Sequence, residues 1–233
     1  SMIMNLIGIY SPARGLGSTL IAAHLHYYLR EHGVRCCASS HGFRGERPLG
    51  LARWQDIPEK PIEPVCLQTL PRTPLGMGVE IVDVHAEMYA AELGELACLE
   101  WVIPIRDTES LERGLEIAFR LRGCQRATLV WNAADPELRQ QVRLPFGRVR
   151  VAETALPESD LLRRADETTT PIWRLPGGAD SPAGQAMIHV LREILADSVR
   201  VLDAAGRVIG GRPAMLPTCG ACTLCDYFQR RAA

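Results

Sequence analysis

The chain has 233 residues, of which 47% are hydrophobic and 23% are charged, and its formal net charge is −1. These values are typical of a globular protein with one sizeable core, and they exclude a global electrostatic attraction to nucleic acid or anionic lipid. No apolar run approaches the roughly 18 residues of a membrane-spanning helix. The N-terminus shows no signal peptide, so we expect a cytoplasmic protein.

Short apolar runs typical of buried strands alternate along the chain with segments of helical periodicity. The predicted strands are 3–9, 34–39, a weak one near 65–70, 79–84, 101–105, 127–131, 149–151 and 171–175. The predicted helices are 19–32, 87–99, 108–121, 159–165 and 181–196. This alternation predicts an α/β fold with a doubly wound, mostly parallel sheet flanked by helices, which binds ligands beyond the carboxyl ends of its strands.

The last part of the chain has a different character. Two short apolar runs, 199–202 and 207–209, flank Asp203-Ala-Ala-Gly206, a pattern that predicts a hairpin. A cysteine cluster and two terminal arginines follow. We therefore expect a main domain over residues 1–196 and a short cysteine-containing appendage over residues 197–233.

A glycine-rich turn joins the first predicted strand to the first predicted helix. Residues 10–20 read Tyr-Ser-Pro-Ala-Arg-Gly-Leu-Gly-Ser-Thr-Leu. The backbone N–H groups of such a turn can point at an anion, and the dipole of the following helix favours negative charge. The turn is a candidate phosphate cradle, although glycines by themselves fit an ordinary strand-to-helix turn equally well.

Together with four later segments, this loop resembles the loop of ParA/MinD-type P-loop ATPases, which reads roughly Lys-Gly-Gly-x-Gly-Lys-Thr-Thr. The resemblance covers about residues 3–195. The later segments that match in order and spacing are Gly78–Asp83 (Walker B strand), Trp101–Arg106, Leu129–Asn132 (a strand whose last asparagine contacts adenine) and Ala152–Ala165. The resemblance implies a P-loop fold, a homodimer that binds ATP or ADP with Mg²⁺, and docking on a partner protein complex; nucleic acid is not indicated.

The same resemblance implies the residues of a nucleotide site. Thr19 matches the residue whose hydroxyl binds Mg²⁺, and Asp83 matches the conserved acid, which is the one candidate for a catalytic residue. The full implied set is Arg14, Gly15, Gly17, Ser18, Thr19, Asp83 and Asn132. Arg14 could bind phosphate through its guanidinium, or it could be a solvent-exposed loop residue.

This sequence departs from the family at the positions that carry its chemistry. Ala13 stands where the signature lysine is expected, Ser18 stands at the general P-loop lysine, and Lys60 is the only lysine in the chain. After the second strand, Ser40-His-Gly-Phe-Arg-Gly45 replaces the family's Asp-x-Asp-Pro-x-Gly. Because phosphoryl transfer depends on positioning and charge stabilisation, we expect nucleotide binding through the backbone and weak or absent hydrolysis.

Three cysteines near the C-terminus form a C-x₂-C-x₂-C run: Cys219, Cys222 and Cys225. Thiolates at this spacing can converge on one iron–sulfur cluster or one Zn²⁺. A fourth ligand would have to come from elsewhere, and an unligated, oxidation-prone tail is the alternative. His24 and His26 lie two residues apart on the first predicted helix, and we expect core or surface histidines there, not a ligand pair.

Two classes of function follow. The first is a ParA/MinD-like regulatory or positioning protein with a degenerate ATP site, which dimerises and docks on a partner. Its loop also resembles that of the accessory ATPase of bacterial cellulose-secretion clusters. The second is a metal or electron-transfer protein that uses the fold as a scaffold for the cysteine tail.

Overall fold

The computed structural model describes residues 5–32, 36–41, 50–54, 59–61, 79–84, 100–121, 125–142, 149–197, 201–202 and 208–210. Its strands are β1 (Asn5–Tyr10), β2 (Cys36–His41), β3 (Glu59–Pro61), β4 (Val79–Val84), β5 (Glu100–Ile105), β6 (Arg126–Trp131), β7 (Val149–Val151), β8 (Val201–Leu202) and β9 (Val208–Gly210). Its α-helices are α1 (Ser18–Glu31), α2 (Thr108–Arg120), α3 (Pro136–Gln141), α4 (Asp160–Thr168) and α5 (Pro182–Asp197). Single 3₁₀ turns occupy Leu51–Arg53 and Ile172–Arg174.

Seven of these strands form one sheet in the order β3-β2-β4-β1-β5-β6-β7, and every paired neighbour runs parallel. The predicted α/β fold with a parallel, doubly wound sheet is therefore confirmed. β1 lies at the centre, between β4 and β5. The order of the strands reverses around β1, which is the place where open α/β sheets bind ligands.

Two apolar layers cover the two faces of the sheet, because successive side chains of a strand point to opposite faces. On β5, Val102 lies in the layer formed with α1, α4 and α5, while Trp101 and Ile103 lie in the layer formed with α2. Burial on both sides explains why these strands read as continuous apolar runs in the sequence.

The first helix shows why its sequence folds as predicted. α1 buries an apolar face that includes Ile21, Leu25 and Leu29, and His24 and His26 are buried in the same core. The Nδ1 of His24 lies 2.8 Å from the Leu20 carbonyl oxygen, and its Nε2 accepts a hydrogen bond from the Ile172 N–H at 3.0 Å. Both histidines therefore lie in the core, which is one of the two placements that the sequence predicts.

One predicted strand is wrong. Residues 171–175 do not join the sheet; Ile172–Arg174 forms a 3₁₀ turn after Pro171. The backbone N–H of Ile172 is used by the His24 ring, and that of Leu175 donates back to the Ile172 carbonyl. Because these donors are satisfied locally, no sheet ladder can form there.

Other expectations concern the ends of the chain and its centre. The predicted hairpin is present as the antiparallel pair of β8 and β9. The helix α3 and the short strand β3 were not predicted. The strand near 65–70, the helix over 87–99 and the segment after residue 210, which includes the cysteine cluster, lie outside the described residues.

Candidate functional site

The glycine-rich loop lies at the carboxyl edge of the sheet, directly after the central strand. The register pairs Ile9 with Asp83 and Tyr10 with Val84, so the loop leaves β1 beside the end of β4. Gly15 and Gly17 have φ angles of +77° and +89°. Only glycine adopts this region without strain, which explains two glycines within three residues of a turn that must enter a helix.

Beside the loop, a hydrogen bond joins Thr19 in the first turn of α1 to Asp83 near the end of β4. The Thr19 hydroxyl donates to Asp83 Oδ2 at 2.8 Å, although the two residues are 64 positions apart in the chain. Asp83 is fully buried. A hydroxyl oxygen and a carboxylate oxygen in contact are the hard oxygen ligands that Mg²⁺ takes in proteins.

Asn132, at the end of β6, is buried against the other side of the loop. Its side-chain Nδ2 donates to the Leu16 carbonyl oxygen at 2.7 Å. A Cβ added to Gly17 would lie 2.5 Å from the same Nδ2, so the amide fits against a position that has no side chain. The structure thus brings Asn132 to the loop, where it braces the backbone.

Two arginines that the sequence interpretation did not assign also reach the loop. Arg106 Nη2 donates to the Gly15 carbonyl at 3.0 Å, and its Nε donates to the Asn132 carbonyl at 3.2 Å. Arg113 Nη1 lies 3.5 Å from the Pro12 carbonyl, a long contact. The signal that could have found Arg106 is its position at the carboxyl end of β5, beside the central strand.

The 3₁₀ turn after residue 50 stands against the first turn of α1. Leu51 and Trp54 anchor it in the core, and Arg53 forms an ion pair with Asp166 at 2.8 Å. A Cβ added to Gly50 would lie 2.5 Å from Thr19 Oγ1. The sequence rich in Pro, Arg and Gly over residues 44–76 predicts irregular structure and does not indicate this contact with Thr19.

The remaining predicted positions separate into three groups. Arg14 is solvent-exposed and Ser18 is buried at the first residue of α1. Ser40 is in register with Asp83, so the stretch Ser40–Gly45, which contains no acidic residue, starts beside this site. The three tail cysteines are not among the described residues, and within those residues no group of three or more His, Cys, Asp or Glu side chains could hold a metal.

The ionisable groups beside the loop respond to their surroundings. Burial raises the pKa of Tyr10, and the nearby charge of Arg113 partly opposes that shift. Hydrogen bonds from the backbone and hydroxyl of Ser110 lower the pKa of Asp107, which caps α2. A capped α2 fixes the position of the chain at Arg106.

The loop fits a phosphate group and its cation. In the described chain, the backbone N–H groups of Ser18, Thr19 and Leu20 have no protein acceptor, Gly17 supplies no side-chain cap, and no acidic residue lies in the first turn of α1. No heavy atom of the described chain lies within 4 Å of a Cβ added to Gly15, so there is open space in front of the loop. Orphan donors at a helix N-terminus beside open space suit an anion.

The parallel sheet, the loop after its central strand and the Thr19–Asp83 pair define a P-loop NTPase fold. Among solved structures, the chain is similar to the MinD cell division protein of Aquifex aeolicus, with a TM-score of 0.53 and 14% identity over 84% of this chain and 99% of that one. It is also similar to the MinC:MinD cell division protein complex of the same organism, with a TM-score of 0.56 and 13% identity over 84% and 98%. At identities this low, the structural similarity establishes a shared fold and nothing more.

Comparisons at the level of sequence are silent. No protein-family model matches the chain, and no curated protein matches it.

A separate finding concerns membranes: in the described ranges, no helix combines the length and the apolar character that crossing a bilayer requires.

Proposed function

We propose that this chain is a ParA/MinD-like regulatory or positioning protein with a degenerate ATP site. It binds ADP or ATP with Mg²⁺ through the loop backbone, and it acts through dimerisation and docking on a partner complex. The observation that supports nucleotide binding best is the Thr19–Asp83 hydrogen bond beside a loop whose next helix begins with N–H groups that have no acceptor among the described residues. These groups suit a metal-bound polyphosphate.

In this proposal, each residue has a limited role. The N–H groups of Ser18 and Thr19 bind the phosphates, the oxygens of Thr19 and Asp83 hold Mg²⁺, and Asn132 keeps the loop in shape. When bound, the cation would neutralise phosphate charge. Gly15 keeps the front of the loop open.

Hydrolysis is slow in this proposal because the cationic and acidic groups of the family are missing. Ala13 and Ser18 replace the two lysines, and Ser40 begins a stretch without the two acids. Removing one group that stabilises a transition state typically costs about 10²–10³ in rate. The nucleotide would therefore act as a bound switch or a structural ligand more than as a fuel.

Dimerisation and partner docking rest on the resemblance to ParA/MinD proteins. One similar structure is a complex of MinD with MinC, and a chain of this fold can use an equivalent surface to hold a partner. The loop's likeness to the accessory ATPase of cellulose-secretion clusters makes a secretion complex a candidate partner. Light scattering with and without ATP and Mg²⁺ tests dimerisation, and an unchanged monomer mass in both would contradict it.

Titration calorimetry with ADP and with ATP, each with and without Mg²⁺, tests nucleotide binding. Binding that is tighter with Mg²⁺ supports the proposal. An absence of heat at millimolar nucleotide in all four titrations, repeated at two temperatures, would exclude a nucleotide site on this loop.

The second candidate function is a metal or electron-transfer role for the C-x₂-C-x₂-C run of Cys219, Cys222 and Cys225. The exact repeat of the spacing favours a shared iron–sulfur cluster or Zn²⁺, with a fourth ligand from outside the run. Protein purified without oxygen should then contain iron or zinc, and Cys222→Ser should lose it. A colourless, metal-free wild-type protein would reject this role.

A further inference from the structure

Arg106 connects three parts of the carboxyl edge that are far apart in sequence. It follows β5 directly, between the end of β6 and the loop after β1. Its guanidinium donates from Nη2 to the Gly15 carbonyl at 3.0 Å and from Nε to the Asn132 carbonyl at 3.2 Å. A planar fork of donors can hold two acceptors in fixed directions, which a lysine cannot do.

The backbone at Arg106 is itself held in place. Its N–H donates to Ser110 Oγ at 2.9 Å, and the N–H of Asp107 donates to the same oxygen at 3.0 Å. The Ser110 N–H donates back to Asp107 Oδ1 at 2.8 Å, which completes a capping box at the start of α2. Hydrogen bonds therefore fix both the backbone of Arg106 and its guanidinium group.

The carbonyl groups of two consecutive loop residues, Gly15 and Leu16, point toward Arg106 and Asn132. The Gly15 carbonyl accepts from Arg106, and the Leu16 carbonyl accepts from Asn132. In a trans peptide the C=O of one residue and the N–H of the next point in opposite directions. The N–H groups of Leu16 and Gly17 therefore point away from Arg106 and Asn132, and successive N–H groups with a common direction make an anion-binding concavity.

We infer that Arg106 is the positioning residue of this phosphate loop: from the end of β5 it holds the loop carbonyls in place, so that the N–H groups of Leu16 and Gly17 face a phosphate in a loop that lacks its own lysines. Arg14 lies in the loop itself and is solvent-exposed, whereas Arg106 donates to two backbone carbonyls at this edge of the sheet. Arg113 contributes less, since its contact with Pro12 is long and it also pairs with Glu109 at 3.0 Å. The ligand class is a nucleotide di- or triphosphate, and for that ligand the inference rests on the proposed function.

Limited trypsin digestion tests, without any nucleotide, whether the two hydrogen bonds of Arg106 hold the loop; these two bonds are called the clamp below. The Arg14–Gly15 bond lies in the loop, so its cleavage reports local opening, and cleavage at Arg164–Ala165 within α4 reports wider unfolding. For Arg106→Gln, the ratio of the first rate to the second should rise about tenfold, because two hydrogen bonds from a charged group are lost. Arg120→Gln removes the same charge from an exposed ion pair on α2 and should leave the ratio unchanged.

Arg106→Lys distinguishes the contribution of the planar guanidinium donors from that of the positive charge. We expect a cleavage ratio between those of wild type and Arg106→Gln, because lysine keeps the charge but cannot bond two carbonyls as a fixed fork. A wild-type ratio in Arg106→Gln would overturn the inference. A wild-type ratio in Arg106→Lys would overturn its dependence on the guanidinium fork.

The second measurement is calorimetry with MgADP on the same variants. Arg106→Gln should weaken binding about tenfold, Arg106→Lys should recover part of that loss, and Arg120→Gln should bind like wild type. If wild-type protein does not bind MgADP, the proposed function fails while the digestion result still decides the clamp. If wild type binds and Arg106→Gln binds equally well, the inference fails while the proposed function stands.

Discussion

The hydroxyl of Thr19 donates to Asp83 Oδ2 at 2.8 Å, which links the first turn of α1 to the end of β4. This hydrogen bond joins the start of the helix to a fully buried carboxylate at the carboxyl end of the strand beside the central one. In the proposed function, the same two oxygens hold the cation that accompanies the nucleotide.

Replacing Thr19 by alanine should reduce the Mg²⁺ dependence of nucleotide binding. We expect calorimetry with ADP to show about tenfold weaker binding in Mg²⁺ and little change in EDTA, because only the metal-bound form uses the hydroxyl. Thr19→Ser keeps a hydroxyl and is the matched control. If Thr19→Ala gains as much affinity from Mg²⁺ as the wild-type protein does, then the hydroxyl is not a ligand.

The two loop glycines should respond differently to alanine. Gly17→Ala brings a methyl group to within 2.5 Å of Asn132 Nδ2, whereas Gly15→Ala and Gly177→Ala meet no heavy atom within 4 Å in the described chain. All three positions have positive φ, so each substitution carries a backbone cost of about 1–2 kcal/mol.

Urea unfolding measures these costs. Gly17→Ala should lose about 1–3 kcal/mol more than Gly177→Ala, because the collision with Asn132 adds to the backbone strain. Gly15→Ala should match Gly177→Ala in stability but lose nucleotide affinity, since its methyl group projects into the space before the loop. Equal stability of the Gly17 and Gly177 variants would contradict the packing of Asn132.

Installing a lysine at Ser18 should strengthen nucleotide binding without restoring turnover. Ser18 occupies the position of the general P-loop lysine, and a new charge-assisted bond to phosphate should improve ATP affinity by about tenfold. ATP hydrolysis should remain at its wild-type level, because the acids missing after β2 are still absent. Ala179→Lys adds the same charge at an exposed site and serves as the control; equal affinities of the two variants would argue against phosphate at Ser18.

The stability of the protein should fall with acidification below about pH 6.5 because of His24. Burial lowers the pKa of His24 to about 4, while the unfolded chain keeps a value near 6.5. Between these two values the unfolded state binds the proton and the folded state does not, so the free energy of unfolding decreases as pH falls from about 6.5 to about 4 and levels off below that.

Over this window the loss attributable to His24 is about 3 kcal/mol, from 1.36 kcal/mol per pKa unit. Urea unfolding at pH 7.5, 6 and 5 measures it. His24→Gln should be less stable at pH 7.5, since the Ile172 N–H loses its acceptor geometry, but it should show a flatter pH dependence. A slope in His24→Gln as steep as that of wild type would show that other groups control the acid response.

The class of fold can be predicted from the sequence alone. Strands such as β4 and β5 are buried on both faces, so their apolar runs are visible without structural information, and the amphipathic pattern and Asp107 cap of α2 mark that helix. The tight turn at Gly15 and Gly17 can also be predicted from the sequence, because backbone positions with positive φ favour glycine.

Which groups meet at the loop depends on contacts between distant parts of the chain. The bond from Thr19 to Asp83 and the bonds from Arg106 to Gly15 and Asn132 join residues far apart in the chain, and the parallel register brings them to one edge. The 3₁₀ turn at Ile172 was missed for the same reason: its apolar sequence suits a strand, but the buried His24 ring takes the N–H that a strand would need. Local sequence records a residue's preferences, whereas its long-range partner depends on packing of the whole sheet.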